Sequence, residues 1–214
     1  MPEFQCSAVL FDLDGVLVDS TKSVVVVWSA WAEKNGIPPA KALEIVHGLR
    51  TIEGVRRLAP HLDAETEAQK IESAITIKKG GTIAIAGAGN FLRDLPQGSW
   101  CVVTSGLRKF AEIRLNDADL PVPDVLVSAE DVTIGKPHPE PYLTGARLMR
   151  KTPDECLVFE DAVSGIRSAR AAGIRVIGVA TTFTPDELRE ADAVIPNLSP
   201  VRVSLRDGKL HIHV

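Results

Sequence analysis

Five short apolar runs rich in β-branched residues, at 7–11, 100–104, 124–128, 156–159 and 174–179, are spaced along the chain, with a weaker sixth at 192–195. Stretches of helical character lie between consecutive runs, at 107–116, 140–150, 162–172 and 184–190. Strand and helix alternating at this spacing point to a parallel sheet, because parallel strands need crossover connections and those connections cover both faces. Pro139, Pro153 and Pro185 stand where helices start or loops turn, and Gly173, between a helix and a strand, suits the position just past a helix end.

One interval breaks the rhythm. Residues 12–99 separate the first run from the second, far more than one crossover helix needs. Four helices are expected there, at 22–35, 40–47, 51–58 and 64–79, with Gly36-Ile37-Pro38-Pro39 turning between the first two. The four consecutive valines at 24–27 favour a strand by propensity. Yet Val24, Val27, Trp28 and Trp31 recur at i, i+3, i+4 and i+7, and that period decides for helix. The expected fold is therefore α/β: a Rossmann-like parallel sheet core, residues 1–19 and 84–214, with a helical cap, residues 20–83, inserted after the first strand. The tail alternates apolar and polar residues on either side of Asp207-Gly208, a hairpin signal with a type I′ turn.

Composition narrows the function classes. A net charge of −4 with no long basic stripe excludes a nucleic-acid groove. The longest apolar run, residues 24–28, is too short to span a membrane, and Met1-Pro2-Glu3-Phe4 lacks a signal-peptide pattern. Cys6, Cys101 and Cys156 are odd in number, widely spaced and open apolar runs, so they are expected to be reduced structural thiols in a cytoplasmic protein. A monomer is the default expectation.

In open parallel sheets, ligands bind outside the carboxyl ends of the strands. The first strand ends on Asp12 and Asp14, the second on Thr104-Ser105-Gly106 and the fourth on Glu160-Asp161, while Lys136 lies in the loop after the third. Each feature has a plain structural reading: a turn at Asp14-Gly15, a helix cap at Thr104-Ser105 or Glu160-Asp161, a solvated lysine. Jointly they bring acids, hydroxyls and an ammonium to one rim, the set that a Mg²⁺-assisted phosphoryl site requires. Two acids two residues apart on a strand share one face and do not suit an apolar core.

Phe11-Asp12-Leu13-Asp14-Gly15, Thr104-Ser105-Gly106, Gly135-Lys136-Pro137 and Glu160-Asp161-Ala162-Val163-Ser164-Gly165 occur in the order of the four motifs of the haloacid dehalogenase superfamily, which the chain resembles over residues 7–196. The stretches Gly135 to Leu143 and His47 to Thr51 are similar to its sugar-phosphate phosphatase branch. The resemblance implies an HAD-like core and a phosphoric monoester hydrolase acting on small sugar or polyol phosphates. It makes Asp12 the nucleophile that becomes an aspartyl-phosphate, and Asp14 the general acid and then base. Mg²⁺ would be held by Asp12, Asp161 and the backbone carbonyl of Asp14, with Glu160 helping directly or through water. Ser105 or Thr104, together with Lys136, would hold the phosphoryl oxygens, and Arg50, in the matching cap loop, would contact substrate. The nearest alternative is a β-phosphoglucomutase-like phosphomutase, told apart by isomer formation without phosphate release. A receiver-like module or a non-catalytic phosphosugar-binding protein is the alternative from another class. Receivers are about half this length and lack a helical insert, whereas a binding protein need not carry all four motifs.

Other features weigh less. His47 lies beside Arg50. His138 reads as a loop residue between prolines, and His211 and His213 as one exposed strand face. Lys78-Lys79 suits a helix end and could also draw phosphate in. Asp19 is expected near the first cap helix's N-terminus. Gly87-Ala88-Gly89 begins a dinucleotide fingerprint, but Leu92 occupies the place of its third glycine. The same stretch is instead expected to link cap to core, with Ala86 where relatives tend to carry proline.

Overall fold

The computed structural model describes residues 2–46, 49–77 and 82–214. Strands β1 (Glu3–Cys6) and β2 (Ala8–Phe11) are followed by the two-residue strand β3 (Val18–Asp19). Four helices come next: α1 (Thr21–Lys34), α2 (Pro39–Val46), α3 (Thr51–Leu58) and α4 (Ala64–Ile77). The chain returns through β4 (Ile83–Ala84) and α5 (Ala88–Asp94) to β5 (Trp100–Val103), α6 (Arg108–Asp117) and β6 (Leu126–Val127). Then come α7 (Glu140–Leu148), β7 (Cys156–Glu160), α8 (Val163–Ala171), β8 (Arg175–Val179) and β9 (Ala193–Ile195), and finally β10 (Arg202–Arg206) and β11 (Lys209–His213).

Six strands form one sheet in the order β6-β5-β2-β7-β8-β9, every pair parallel. The first of these strands in the chain, β2, therefore lies in the middle, and the strand order reverses beside it, which is where doubly wound sheets open a crevice. Every residue of β2 is buried. Val9 and Phe11 join one apolar layer with Phe91 and Leu92 of α5 and Leu115 of α6. Ala8 and Leu10 join the other, with Tyr142 and Ala146 of α7 and Ile166 of α8. Phe11 meets Phe91 edge-on at 5.2 Å and stacks on Phe159 at 5.4 Å. Burying each such large side chain contributes about 1.5–3 kcal/mol, so the strand that carries Asp12 is held firmly in the middle of the sheet.

Helices α1–α4 bury a cluster of their own, built on Trp28, Trp31, Val46, Val55, Ile71 and Ile75. Trp28 and Trp31 pack edge to face at 5.3 Å, and the Trp31 indole N–H donates to Glu67 at 2.9 Å. The valine run thus lies on a helix, as its period predicts. The chain enters and leaves this unit through β3 and β4, which pair antiparallel with Val18 opposite Ala84 and Asp19 opposite Ile83. The Asp19 carboxylate accepts the Thr21 N–H at 3.0 Å at the start of α1.

β10 and β11 make the expected hairpin, with positive φ at Asp207 and Gly208 (52° and 74°), as a type I′ turn requires. A third strand, β1, joins it antiparallel and sends Phe4 and Cys6 into the main core. His211 and His213 are half-buried, and His211 faces Glu3 at 2.5 Å. All three cysteines are buried free thiols. Among the described residues no helix is long and apolar enough to cross a membrane.

Three expectations need correction. Residues 184–190 form turns, not a helix. Thr184 and Glu187 start a turn by side-chain bonding, but Arg189 and Ala191 already take three-residue bonds, and Asp192 must reach Val176 to begin the next strand pairing. The run at 124–128 pairs as strand only at Leu126–Val127. And β2 ends at Phe11, so Asp12 and Asp14 stand in the turn beyond the strand rather than along it.

Candidate active site

The rim at the carboxyl end of the sheet follows from the strand order. Asp12 leaves β2 with its N–H still donating to Phe159 of β7 at 3.0 Å. Thr104 and Ser105 leave β5 on one side, and Asp161 leaves β7 on the other. Lys136 reaches in from the loop beyond β6, buried, with its ammonium 2.5 Å from Asp12 Oδ1, 2.7 Å from Glu160 Oε1 and 3.1 Å from the Val103 carbonyl. Sequence positions 12, 104–105, 136 and 160–161 thus meet in space, as their places at strand ends predict.

Two glycines make that meeting possible. Gly15 has φ +87°, and a Cβ there would lie 2.0 Å from Asp161 Oδ2. Its absence lets the chain reverse from Asp14 to Val18 directly beneath the Asp161 carboxylate. A Cβ on Gly165, in the first turn of α8, would lie 1.6 Å from Glu160 Oε1. That open flank lets Glu160 fold under the helix, accept the Ala162 N–H at 2.9 Å and take the Tyr142 hydroxyl at 2.9 Å. Glu160 is therefore fully engaged: it fixes Lys136, and Lys136 fixes Asp12.

Carboxylate oxygens of Asp12, Glu160 and Asp161 lie within 4.8 Å of one another, all three buried. Burial, opposed by Lys136 and reinforced by Glu160, pushes the Asp12 carboxyl up to about 7. Burial and then the neighbouring Glu160 and Asp12 carboxylates push Asp161 well above its ordinary range, against a hydrogen bond from Thr182. Burial disfavours the Lys136 charge, but Asp12 and Glu160 outweigh it and raise the ammonium's pKa. Three carboxylates against one ammonium crowd acidic groups at the buried end of the cleft. This all-oxygen donor set fits a hard divalent cation, which would relieve that crowding.

A cleft of about 110 Å³ lies between the rim and the helical unit. The core side supplies Asp12, Asp14, Thr104, Ser105 and Asp161; the helical unit supplies Trp28, Val46, Thr51, Glu72 and Ile75 from its helices and Leu49 from the bend before α3. The two hydroxyls at the end of β5 differ. Thr104 Oγ1 accepts the Gly106 N–H at 3.1 Å and so shapes the turn, while Ser105 is half-buried at the cleft. Lys136 lies behind Asp12 and does not line the cleft.

Arg50 is not in the cleft either. Its guanidinium bonds Glu53 at 2.8 Å and the Val132 and Thr133 carbonyls at 3.3 Å each, and its stem lies against Gly135. It bridges the helical unit to the loop that carries Lys136. His138 lies on the same loop, accepting the Glu140 N–H at 3.2 Å. His47, Lys78 and Lys79 fall outside the described residues.

Two site residues escape the sequence reading. Arg114, on α6, donates from Nη1 to Asp14 Oδ2 and from Nη2 to Glu72 Oε2, both at 2.7 Å, and both Arg114 and Glu72 are buried. Ser20 donates to the other Asp14 oxygen at 2.5 Å, and the Thr51 hydroxyl donates to the other Glu72 oxygen.

The family model for haloacid dehalogenase-like hydrolases matches residues 9–179. Hexitol phosphatase A of Escherichia coli (strain K12) is 38% identical over 205 residues, spanning 94% of this chain and 95% of that protein. Glycerol-1-phosphate phosphohydrolase 2 of Saccharomyces cerevisiae is 35% identical over 211 residues, spanning 92% of this chain and 84% of that protein. A solved structure of a hydrolase from Pseudomonas syringae superposes with a TM-score of 0.80 at 28% identity, covering 90% of this chain and 94% of that one. Matched from the central strand through β8 by the family model, and along nearly its whole length by these relatives, the chain belongs to the haloacid dehalogenase-like hydrolases.

Proposed function

We propose that this chain is a Mg²⁺-dependent phosphatase that hydrolyses small sugar or polyol phosphates through an aspartyl-phosphate. The observation that carries the reading is the convergence of Asp12, Lys136 and Asp161 under a cleft that also presents Asp14 and Ser105. The phosphatases of hexitol and glycerol phosphates among its relatives support the substrate class.

The chemistry runs in two halves. Asp12 attacks phosphorus, the bond from phosphorus to the sugar oxygen breaks, and Asp14 gives that oxygen its proton. Water then attacks the phosphoryl group on Asp12, gives a proton to Asp14 and frees inorganic phosphate. Lys136 holds Asp12 in place and carries positive charge behind it; Ser105 donates to a phosphoryl oxygen. Asp12, Asp161 and the Asp14 carbonyl are the ligands we assign to Mg²⁺, which when bound supplies charge to phosphoryl oxygens and to the nucleophile. Residues 20–83 act as the cap that covers the cleft and excludes water. Trp28 and Ile75 offer apolar surface to the carbon frame of a polyol, and a cleft of about 110 Å³ suits a small substrate.

Asp12→Asn is the test. It is expected to keep the fold, checked by circular dichroism, and to lower phosphate release from glycerol and hexitol phosphates by at least ~10³-fold. Normal turnover by that variant would remove Asp12 from the reaction.

A further inference from the structure

We propose that Arg114 and Glu72 are positioning residues for Asp14, forming an ion pair across the cleft that sets the Asp14 carboxyl only when helix α4 lies over the sheet. The inference rests on the phosphatase reading above, since it concerns the group assigned there as proton donor.

The connections run in one line. Thr51 of α3 bonds Glu72 of α4; Glu72 bonds Arg114 of α6; Arg114 bonds Asp14 in the turn after β2; and Asp14 is bonded by Ser20, at the doorway to α1. The line begins in the helical unit, crosses to the core and returns to the hinge. Each Asp14 oxygen is held from one of these directions: Oδ1 by Ser20 and Oδ2 by Arg114. The planar guanidinium fixes the angle between its two carboxylate partners, which a lysine ammonium would not.

Burial makes the arrangement conditional. The Arg114 and Glu72 side chains are 4% and 5% exposed. An ion removed from water to this degree is stable only where a partner replaces the lost solvation. Glu72 and Asp14 together replace the solvation that Arg114 loses, and Arg114 and Glu72 meet only while α4 and α6 are in contact. The third guanidinium nitrogen, Nε, is buried with no hydrogen-bond partner among the described residues, so the guanidinium is held through its bonds to Asp14 and Glu72. Withdrawal of α4 would free Arg114 to turn and would release Asp14 Oδ2.

The test compares two substrates. An alkyl phosphate, such as glycerol phosphate or a hexitol phosphate, needs its leaving oxygen protonated, whereas p-nitrophenyl phosphate releases a stable phenolate. The ratio of their kcat/KM values reports the placement of the proton donor and is independent of how much protein is folded. Arg114→Gln and Glu72→Gln are each expected to lower the alkyl-to-aryl ratio by about 10-fold or more, within the range general-acid catalysis supplies. Arg114→Lys should fall between wild type and Arg114→Gln, and the double variant should be no lower than Arg114→Gln, because the two residues act as one unit. A ratio within about twofold of wild type in both single variants, or additive losses in the double, would overturn the proposal. An equal fall for both substrates would do the same, because that is the signature of a purely structural role. If the unaltered chain hydrolyses neither substrate, the phosphatase reading falls and this inference with it. If it hydrolyses both and the ratio stays fixed, only the inference falls.

Discussion

A methyl group at position 165 would overlap the carboxylate that anchors the lysine behind Asp12. Gly165→Ala is accordingly expected to destabilise the protein by about 1–3 kcal/mol, the range for overpacking a closed interior, measured by urea denaturation. A variant as stable as wild type would mean that Glu160 has another seat. At this scale the site was half legible in the sequence. Asp12, Thr104, Ser105 and Asp161 could be placed because each directly follows an apolar run, and strand ends gather at a sheet's rim. Arg114 and Glu72 could not be placed that way, since they sit inside helices. Their signal was a different one: Ala111, Arg114, Leu115 and Ala118 fall at i, i+3, i+4 and i+7, as do Ala68, Glu72 (one position after Ile71) and Ile75 at i, i+4 and i+7. A charge on the buried stripe of a helix must have a partner, and one partner of each is the other. Arg50, expected to contact substrate from its position in the matching loop, here bonds Glu53 and the backbone carbonyls of Val132 and Thr133.

Among the elements, β1 and the closing hairpin show what local pattern does and does not carry. The hairpin was readable because Asp207-Gly208 supplies the two left-handed residues its turn needs. The edge strand β1 was not, since four residues alternating exposed and buried carry too little signal, and it is a strand only because β11 is there to pair with it. Ile212, fully buried in the main core, ties this small sheet to the larger one. Ile212→Ala is expected to cost about 2–5 kcal/mol and to lower the midpoint of a single unfolding transition. An early, separate loss of the terminal strands would show instead that they fold on their own. The helix expected at 184–190 failed for want of length: Asp192 is committed to Val176, leaving room for turns alone.

For the molecule as a whole, the alternation of strand and helix specified the doubly wound sheet, and the long interval after the first strand specified where the helical unit enters. Its electrostatics lead to a further prediction. The Asp12 carboxyl, raised by burial from 3.8 to about 7, keeps in the folded chain a proton that the unfolded chain has already released in that interval. Its contribution to stability is therefore present at low pH and lost as pH rises toward 7. The protein stripped of metal by a chelator should melt at a lower temperature at about pH 8 than at about pH 5, and Mg²⁺ should raise the melting temperature more at the higher pH. Asp161→Asn should shrink that gain. An equal gain at both pH values would mean that the acidic cluster is not where the cation binds.

The paired linkers β3 and β4 have a consequence for how such a molecule can change over time. Val18 faces Ala84 and Asp19 faces Ile83, so the segment between them starts and finishes one strand spacing apart, roughly 5 Å. Anything whose two ends meet that closely fits the same doorway, whether a short turn, four helices or a larger module. The sheet on the near side need not stretch, shift register or lose a strand to accept it. The helical unit is thus a cassette: it can be exchanged without rebuilding the sheet beneath it, though Glu72, which bonds Arg114, leaves with it.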